Sequence, residues 1–158
     1  MSVEIREQAY NPWQLLQEYE EARRDTRSGQ FGATAVFIGT MRDFNEGDEV
    51  AVMTLEHYPG MTERHLQAIS EEAAQRWDLL DSLIVHRVGE IHPADTIVLV
   101  AVWSVHRADA FDASRYLMEE LKSRAPFWKK EQLTKGGDRW VEKNTPDPGA
   151  VSLLKTPK

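Results

Sequence analysis

The hydrophobic pattern of this chain changes period along its length, and each change marks an element. Residues 1–10 are too few to show a period and read as a short strand or arm. Asn11-Pro12 then reads as a helix cap followed by proline at the first helical position. The spacing of Trp13, Leu16 and Tyr19 predicts a helix to about Arg27, stopped by Ser28-Gly29. Residues 32–42 (GATAVFIGTMR) are β-rich and predict a buried strand. A turn at 45–48 and a second β-rich run at 49–58 make these two strands look like a hairpin. Pro59-Gly60-Met61-Thr62 opens a helix through about Trp77, with Leu66, Ile69 and Ala73 on its apolar face. A strand follows at 81–88, then a proline-containing turn region at 89–95. Residues 96–105 (TIVLVAVWSV) are apolar at both parities, the mark of a central strand covered on two faces. In the last clear helix, 109–124, Phe111, Ser114, Leu117, Met118 and Leu121 form an inner stripe. Pro126 disfavours helix at Ala125 and forces an extended exit. Residues 127–133 and 139–142 then read as a hairpin closing through Lys135-Gly136-Gly137-Asp138.

Strands and helices are mixed without the strict alternation of a doubly wound sheet, which is an α+β pattern. Residues 1–143 read as one domain with a real core, and 144–158, with three prolines and no period, as a tail. No apolar run is long enough to span a bilayer, and no basic-then-apolar leader opens the sequence, so a cytoplasmic chain is expected. The absence of cysteine excludes a thiol nucleophile, a disulfide framework and a Cys-ligated metal. Any sulfur chemistry would therefore need sulfur brought from outside the chain. The net charge of −7 argues against general affinity for nucleic acid. That charge is unevenly spread. Residues 122–143 hold seven Lys/Arg and three Asp/Glu, a net of +4, which leaves −11 for the remainder. A basic island on an acidic chain suggests a site for an anion.

The candidate chemistry clusters around Pro126. Lys122 leaves the edge of the buried helix face, and beyond the proline the period becomes two, so Phe127, Lys129 and Glu131 share a face. If the bend folds back, both ammonium groups could meet over one pocket, where mutual repulsion and burial would favour a neutral amine. Such a lysine can serve as nucleophile, base or proton donor. The same spacing also fits two lysines that simply ring a helix C-terminus. His106-Arg107 follows the central strand directly, a place where sheets present ligand-binding groups. Arg42 ends the first core strand in the same way and is either a second candidate anion clamp or a surface arginine paired to Asp43 or Asp48. The remaining histidines, 57, 65, 86 and 92, match no metal-binding pattern and read as structural or surface residues.

Six blocks then occur in order: Phe37-Ile38-Gly39-Thr40-Met41-Arg42-Asp43-x-Asn45, Leu55-Glu56-His57-Tyr58-Pro59-Gly60-Met61, His86-Arg87-Val88-Gly89, Ser104-Val105-His106-Arg107, Leu121-Lys122-Ser123-Arg124-Ala125-Pro126-Phe127-Trp128-Lys129-Lys130-Glu131, and Gly137-Asp138-Arg139-Trp140. Together they resemble the large, catalytic subunit of molybdopterin synthase, the MoaE family. The resemblance implies an α/β-hammerhead α+β fold with a mixed or antiparallel sheet and a small β subdomain. It implies a self-dimer carrying a small ubiquitin-like (MoaD-type) sulfur carrier at each end, a heterotetramer. The carrier's C-terminal Gly-Gly thiocarboxylate would deliver sulfur to cyclic pyranopterin monophosphate, giving the dithiolene of molybdopterin, with no cofactor or metal and no membrane partner. Carried onto this sequence, Lys122 and Lys129 match the catalytic lysines. Arg42, His106 and Arg107 match the contacts to the substrate's anionic groups, and Thr40, Met41, Lys130 and Glu131 the pocket lining. Met41 stands where a smaller aliphatic residue is commoner in the family. A Schiff-base lyase using a neutral lysine and a non-catalytic scaffold that docks an anionic partner tail are the alternatives.

Overall fold

Strand β7 (Thr96–Ser104) organises the molecule, as its two apolar faces require. The computed structural model describes residues 1–27 and 29–141. In chain order its elements are β1 (Ser2–Arg6), α1 (Pro12–Glu21), α2 (Arg24–Arg27), β2 (Ala33–Thr40), β3 (Phe44–Asn45), β4 (Asp48–His57), α3 (Met61–Arg76), β5 (Leu79–Arg87), β6 (Gly89–Ile91), β7, α4 (Arg107–Arg124), β8 (Phe127–Leu133) and β9 (Asp138–Val141). The large sheet runs β1-β5-β7-β2, with β1 parallel to β5 and the other pairs antiparallel. The small sheet runs β3-β4-β8-β9, with β6 also on β4. This is a mixed α+β architecture with a second, smaller β unit.

Both faces of the large sheet are covered. On one face Ile84, Val98, Val100 and Val102 meet Leu66, Ile69 and Ala73 of α3 and Ala113, Leu117 and Leu121 of α4. On the other, Leu83, Val85, Leu99 and Ala101 meet Leu15 of α1. Each such aliphatic side chain contributes about 1.5–3 kcal/mol on burial. A third cluster, Met41, Val50, Met53, Leu55 and Ile91, lies under the small sheet and touches the first through Ile97. The chain passes from large to small sheet at Gly89, whose φ of +79° suits glycine. Among the described residues, no helix is long and apolar enough to cross a membrane.

Several expectations change. Strands β2 and β4 are not a hairpin: β2 pairs with β7 from Ala33↔Ser104 onward, and β4 joins the small sheet. The turn at Glu46-Gly47 instead closes the short ladder Asn45↔Asp48 between β3 and β4. Adjacency in sequence lost to burial, because β2 covers the open edge of the central strand. The first helix is interrupted after Glu21. Its inward residue is Leu15, while Trp13 is exposed. Phe111 is 67% exposed and leaves the α4 stripe. The small residues Ala110 and Ala113 face inward there, which turns position 111 outward. The region 89–95 contains strand β6 as well as a turn. The tail at 144–158 lies outside the described residues.

Candidate active site

A cleft of about 520 Å³ opens where one end of the large sheet meets the small sheet. Three elements bring chemistry to it. Strand β2 ends there in Gly39 and Thr40 and runs on into Met41 and Arg42. The last turns of α4 supply Met118, Leu121 and Lys122, and β8 supplies Phe127, Lys129 and Glu131. Gly39 is a close-approach position, since a Cβ would lie 2.8 Å from Val98 Cγ1.

The two lysines arrive by different local rules. Lys122 sits in the last turn of α4, where the helix dipole favours a cation. Ala125, preceding proline, is extended at φ −73° and ψ 130°, so the helix stops. Strand β8 starts at Phe127, and its alternate residues Phe127, Lys129 and Glu131 line the cleft. Lys130 has the opposite parity. Its Nζ lies 2.9 Å from Asp138 Oδ2 and 5.9 Å from the Trp140 ring centroid.

Glu131 is only 1% exposed, so its charge needs partners. Asn45 Nδ2 donates to it at 2.7 Å and Arg139 Nε at 2.9 Å, while Lys129 Nζ lies 3.4 Å away. Arg139 also donates to Asp48 at 3.0 Å and to the Asn45 carbonyl at 2.9 Å. Burial pushes the Glu131 carboxyl up, but the bonds from Arg139 and Asn45 and the charge of Lys129 outweigh it and hold it below the usual range. The Lys129 ammonium is thus anchored to a carboxylate and not set against a second ammonium alone.

His86 also lines the cleft. It is buried, donates from Nδ1 to the Arg87 carbonyl at 2.7 Å, and stacks on Phe127 with centroids 4.0 Å apart. Burial pushes its imidazole down to about 4, against the opposing pull of the Arg87 carbonyl, so the ring is neutral near pH 7.

Of the residues singled out from sequence, Thr40, Met41, Arg42, Lys122, Lys129 and Glu131 all line this one cleft. His106, Arg107 and Lys130 do not. The antiparallel register puts Ser104 opposite Ala33 and Thr96 opposite Thr40, so His106-Arg107 lie at the far end of the sheet. Arg107 opens α4 and Lys122 nearly closes it, about 22 Å apart along the axis at 1.5 Å per residue. Asn45, Arg139 and the cleft position of His86 were missed as site features. The observed register places Arg139 directly opposite Glu131, whereas a loop at 135–138 would have set it opposite Thr134.

The fold is a mixed α+β body, with Arg42, Lys122 and Lys129 facing a cleft at the seam of its two sheets. Its kinship is specific. The chain belongs to the MoaE protein family, whose model matches residues 9–124. It is 56% identical over 123 residues to the molybdopterin synthase catalytic subunit of Ralstonia nicotianae, covering 78% of this chain and 69% of that one. It is 46% identical over 151 residues to that of Pseudomonas aeruginosa, covering 96% and 97%. The molybdopterin biosynthesis MoaE protein from Burkholderia ambifaria MC40-6 superposes with a TM-score of 0.77 at 41% identity, over 99% of each chain.

Proposed function

We propose that this chain is the catalytic subunit of a molybdopterin synthase, converting cyclic pyranopterin monophosphate to molybdopterin with sulfur from a carrier's thiocarboxylate. The observation that carries this reading is the convergence of Lys122, Lys129 and Arg42 on one cleft. A phosphate and a carboxylate-like tail must approach each other there, and fixed cations offset their repulsion and stabilise the oxyanion that develops during transfer. The absence of cysteine fits a sulfur donor from outside the chain. Lys122 meets the thiocarboxylate and the reacting carbons. Lys129, held by Glu131, orients the substrate or donates a proton. Two sulfurs per product require two carrier molecules in turn. Residues 1–143 form the catalytic unit, with 144–158 as a tail.

The self-dimer is part of the same reading. Strand β2 is an edge of the large sheet, with Val36 and Phe37 exposed, and Phe111 of α4 is exposed as well. A second copy seated on this face would bring its His106 and Arg107 to the cleft, and two carriers would complete a heterotetramer. Co-expressing Lys122→Ala with His106→Ala should then restore about a quarter of wild-type activity, because half the dimers keep one intact site.

The direct test mixes the chain with thiocarboxylated carrier and cyclic pyranopterin monophosphate and looks for the dithiolene product. Product formation that disappears in Lys122→Ala is the expected result. No product with the wild-type chain, or unchanged product with Lys122→Ala, overturns the assignment.

A further inference from the structure

The bend at Pro126 separates the two cleft lysines, and two buried polar side chains from distant elements grip it. Thr62, in the first turn of α3, is fully buried. Its Oγ1 accepts from the Tyr58 N–H at 3.1 Å and donates to the Pro126 carbonyl at 3.3 Å. From the other side, the His86 ring lies nearly parallel to the Phe127 ring, 17° between planes. That imidazole is itself fixed through Nδ1 to the Arg87 carbonyl. Neither position needs a polar residue for packing alone. A valine would match the volume of Thr62 while leaving the Tyr58 N–H and the Pro126 carbonyl without these bonds, and an aliphatic residue would fill much of the site of His86. Both grip the two residues through which the chain turns from α4 into β8.

We propose that Thr62 and His86 are positioning residues: a buried clamp on the Pro126 bend that sets where the ammonium groups of Lys122 and Lys129 stand relative to each other. The physical reason is geometric. Lys122 is fixed by α4 and Lys129 by β8, so a change in the angle between them alters both reaches. Catalysis that depends on aligned charges loses much of its rate for displacements near 1 Å. The turnover arm of the test rests on the sulfur-transfer reading above, and the labelling arm does not.

The test uses the full chain with Thr62→Val, which removes both hydrogen bonds at nearly constant shape, and His86→Leu, which removes the ring. Thr62→Ser and His86→Phe are the matched rescues. Two quantities are read below the melting transition of every variant: kcat and KM with carrier and pterin phosphate, and the ratio of acetylation rates at Lys122 and Lys129 under limiting acetic anhydride, by peptide mass spectrometry. The clamp predicts a fall in kcat of about tenfold. It also predicts little change in KM, an altered labelling ratio in the Val and Leu variants, recovery of both readouts in Thr62→Ser, and partial recovery in His86→Phe, whose ring stacks but lacks the bond to the Arg87 carbonyl. An unchanged labelling ratio in folded Thr62→Val and His86→Leu overturns it, whatever the turnover. So does an altered ratio with wild-type kcat, since the positions would then not matter. An altered ratio while the wild-type chain itself makes no dithiolene supports the clamp and counts against the sulfur-transfer reading alone.

Discussion

The large and small sheets are held together by different physics. The central strand β7 has no charged residue, and both its faces are covered by aliphatic side chains. In the small sheet, the buried Glu131 carboxylate of β8 is gripped by Asn45, Arg139 and Lys129. Apolar packing is non-directional and tolerates small shifts. A buried ion network is directional, and it fixes side chains at the cost of desolvating charge. The catalytic candidates lie on the seam, where the stable body supplies Lys122 and the ion network holds Lys129. The contrast suggests a division of labour, with the large sheet supplying stability and the small sheet supplying precision.

That division can be broken or sharpened by experiment. The largest effect should come from Lys122→Ala, which removes a charge from the cleft and nothing from the core. Turnover should fall roughly 10²–10³-fold. The melting temperature should stay within a degree or two of wild type, measured by calorimetry, since the side chain is exposed. Leu117→Ala in the large-sheet core should do the reverse. Denaturant unfolding should show a loss of about 2–5 kcal/mol, with kcat of the folded fraction nearly unchanged. If Leu117→Ala lowers kcat as much as it lowers stability, the two functions are not separable. Glu131→Gln tests the small sheet. Losing the charge that Arg139 and Lys129 face should cost about 1–3 kcal/mol and lower kcat as well.

Acid titration separates the regions further. His86 takes its proton near 4 in the folded state and near its ordinary value of 6.5 when unfolded. The unfolded chain therefore binds more protons between those values, and stability must fall as pH drops from 6.5 to 4, by up to about 3 kcal/mol. Unfolding free energies measured across that window should show the slope in wild type and a shallower one in His86→Phe. The smallest effect is expected at the surface pair Arg124–Glu72, joined at 2.7 Å but well exposed at both ends. Arg124→Ala should change stability by no more than about 1 kcal/mol, in a salt-dependent way.

Much of this was legible along the chain, and the exceptions have physical causes. The two-faced run of β7, the stop at Pro126 and the shared parity of Phe127, Lys129 and Glu131 are local facts, set by side-chain polarity and by proline's ring. They placed both lysines correctly on a helix end and a strand start. The errors arose where partners are distant in sequence. Adjacent strands β2 and β4 looked like a hairpin, yet each found its partner elsewhere, at β7 and β8. Phe111 looked inward by spacing, but α4 packs through alanines at that turn. His86, read as a structural or surface residue, is structural; only its place at the cleft went unread, because its stacking partner Phe127 is far along the chain.

By itself, then, the sequence determined most of the longer helices and strands, the α+β class, the position of the basic island and, through its motifs, the family. Only the tertiary structure decided that Arg42 shares a cleft with the two lysines, that Glu131 is buried with its charge matched, and that His106 and Arg107 lie at the opposite end of α4. The physical reason is range. Helix stops and strand parity are fixed by neighbours a few residues away, whereas a shared cleft or a matched buried charge exists only after non-local pairing has chosen which strand ends meet.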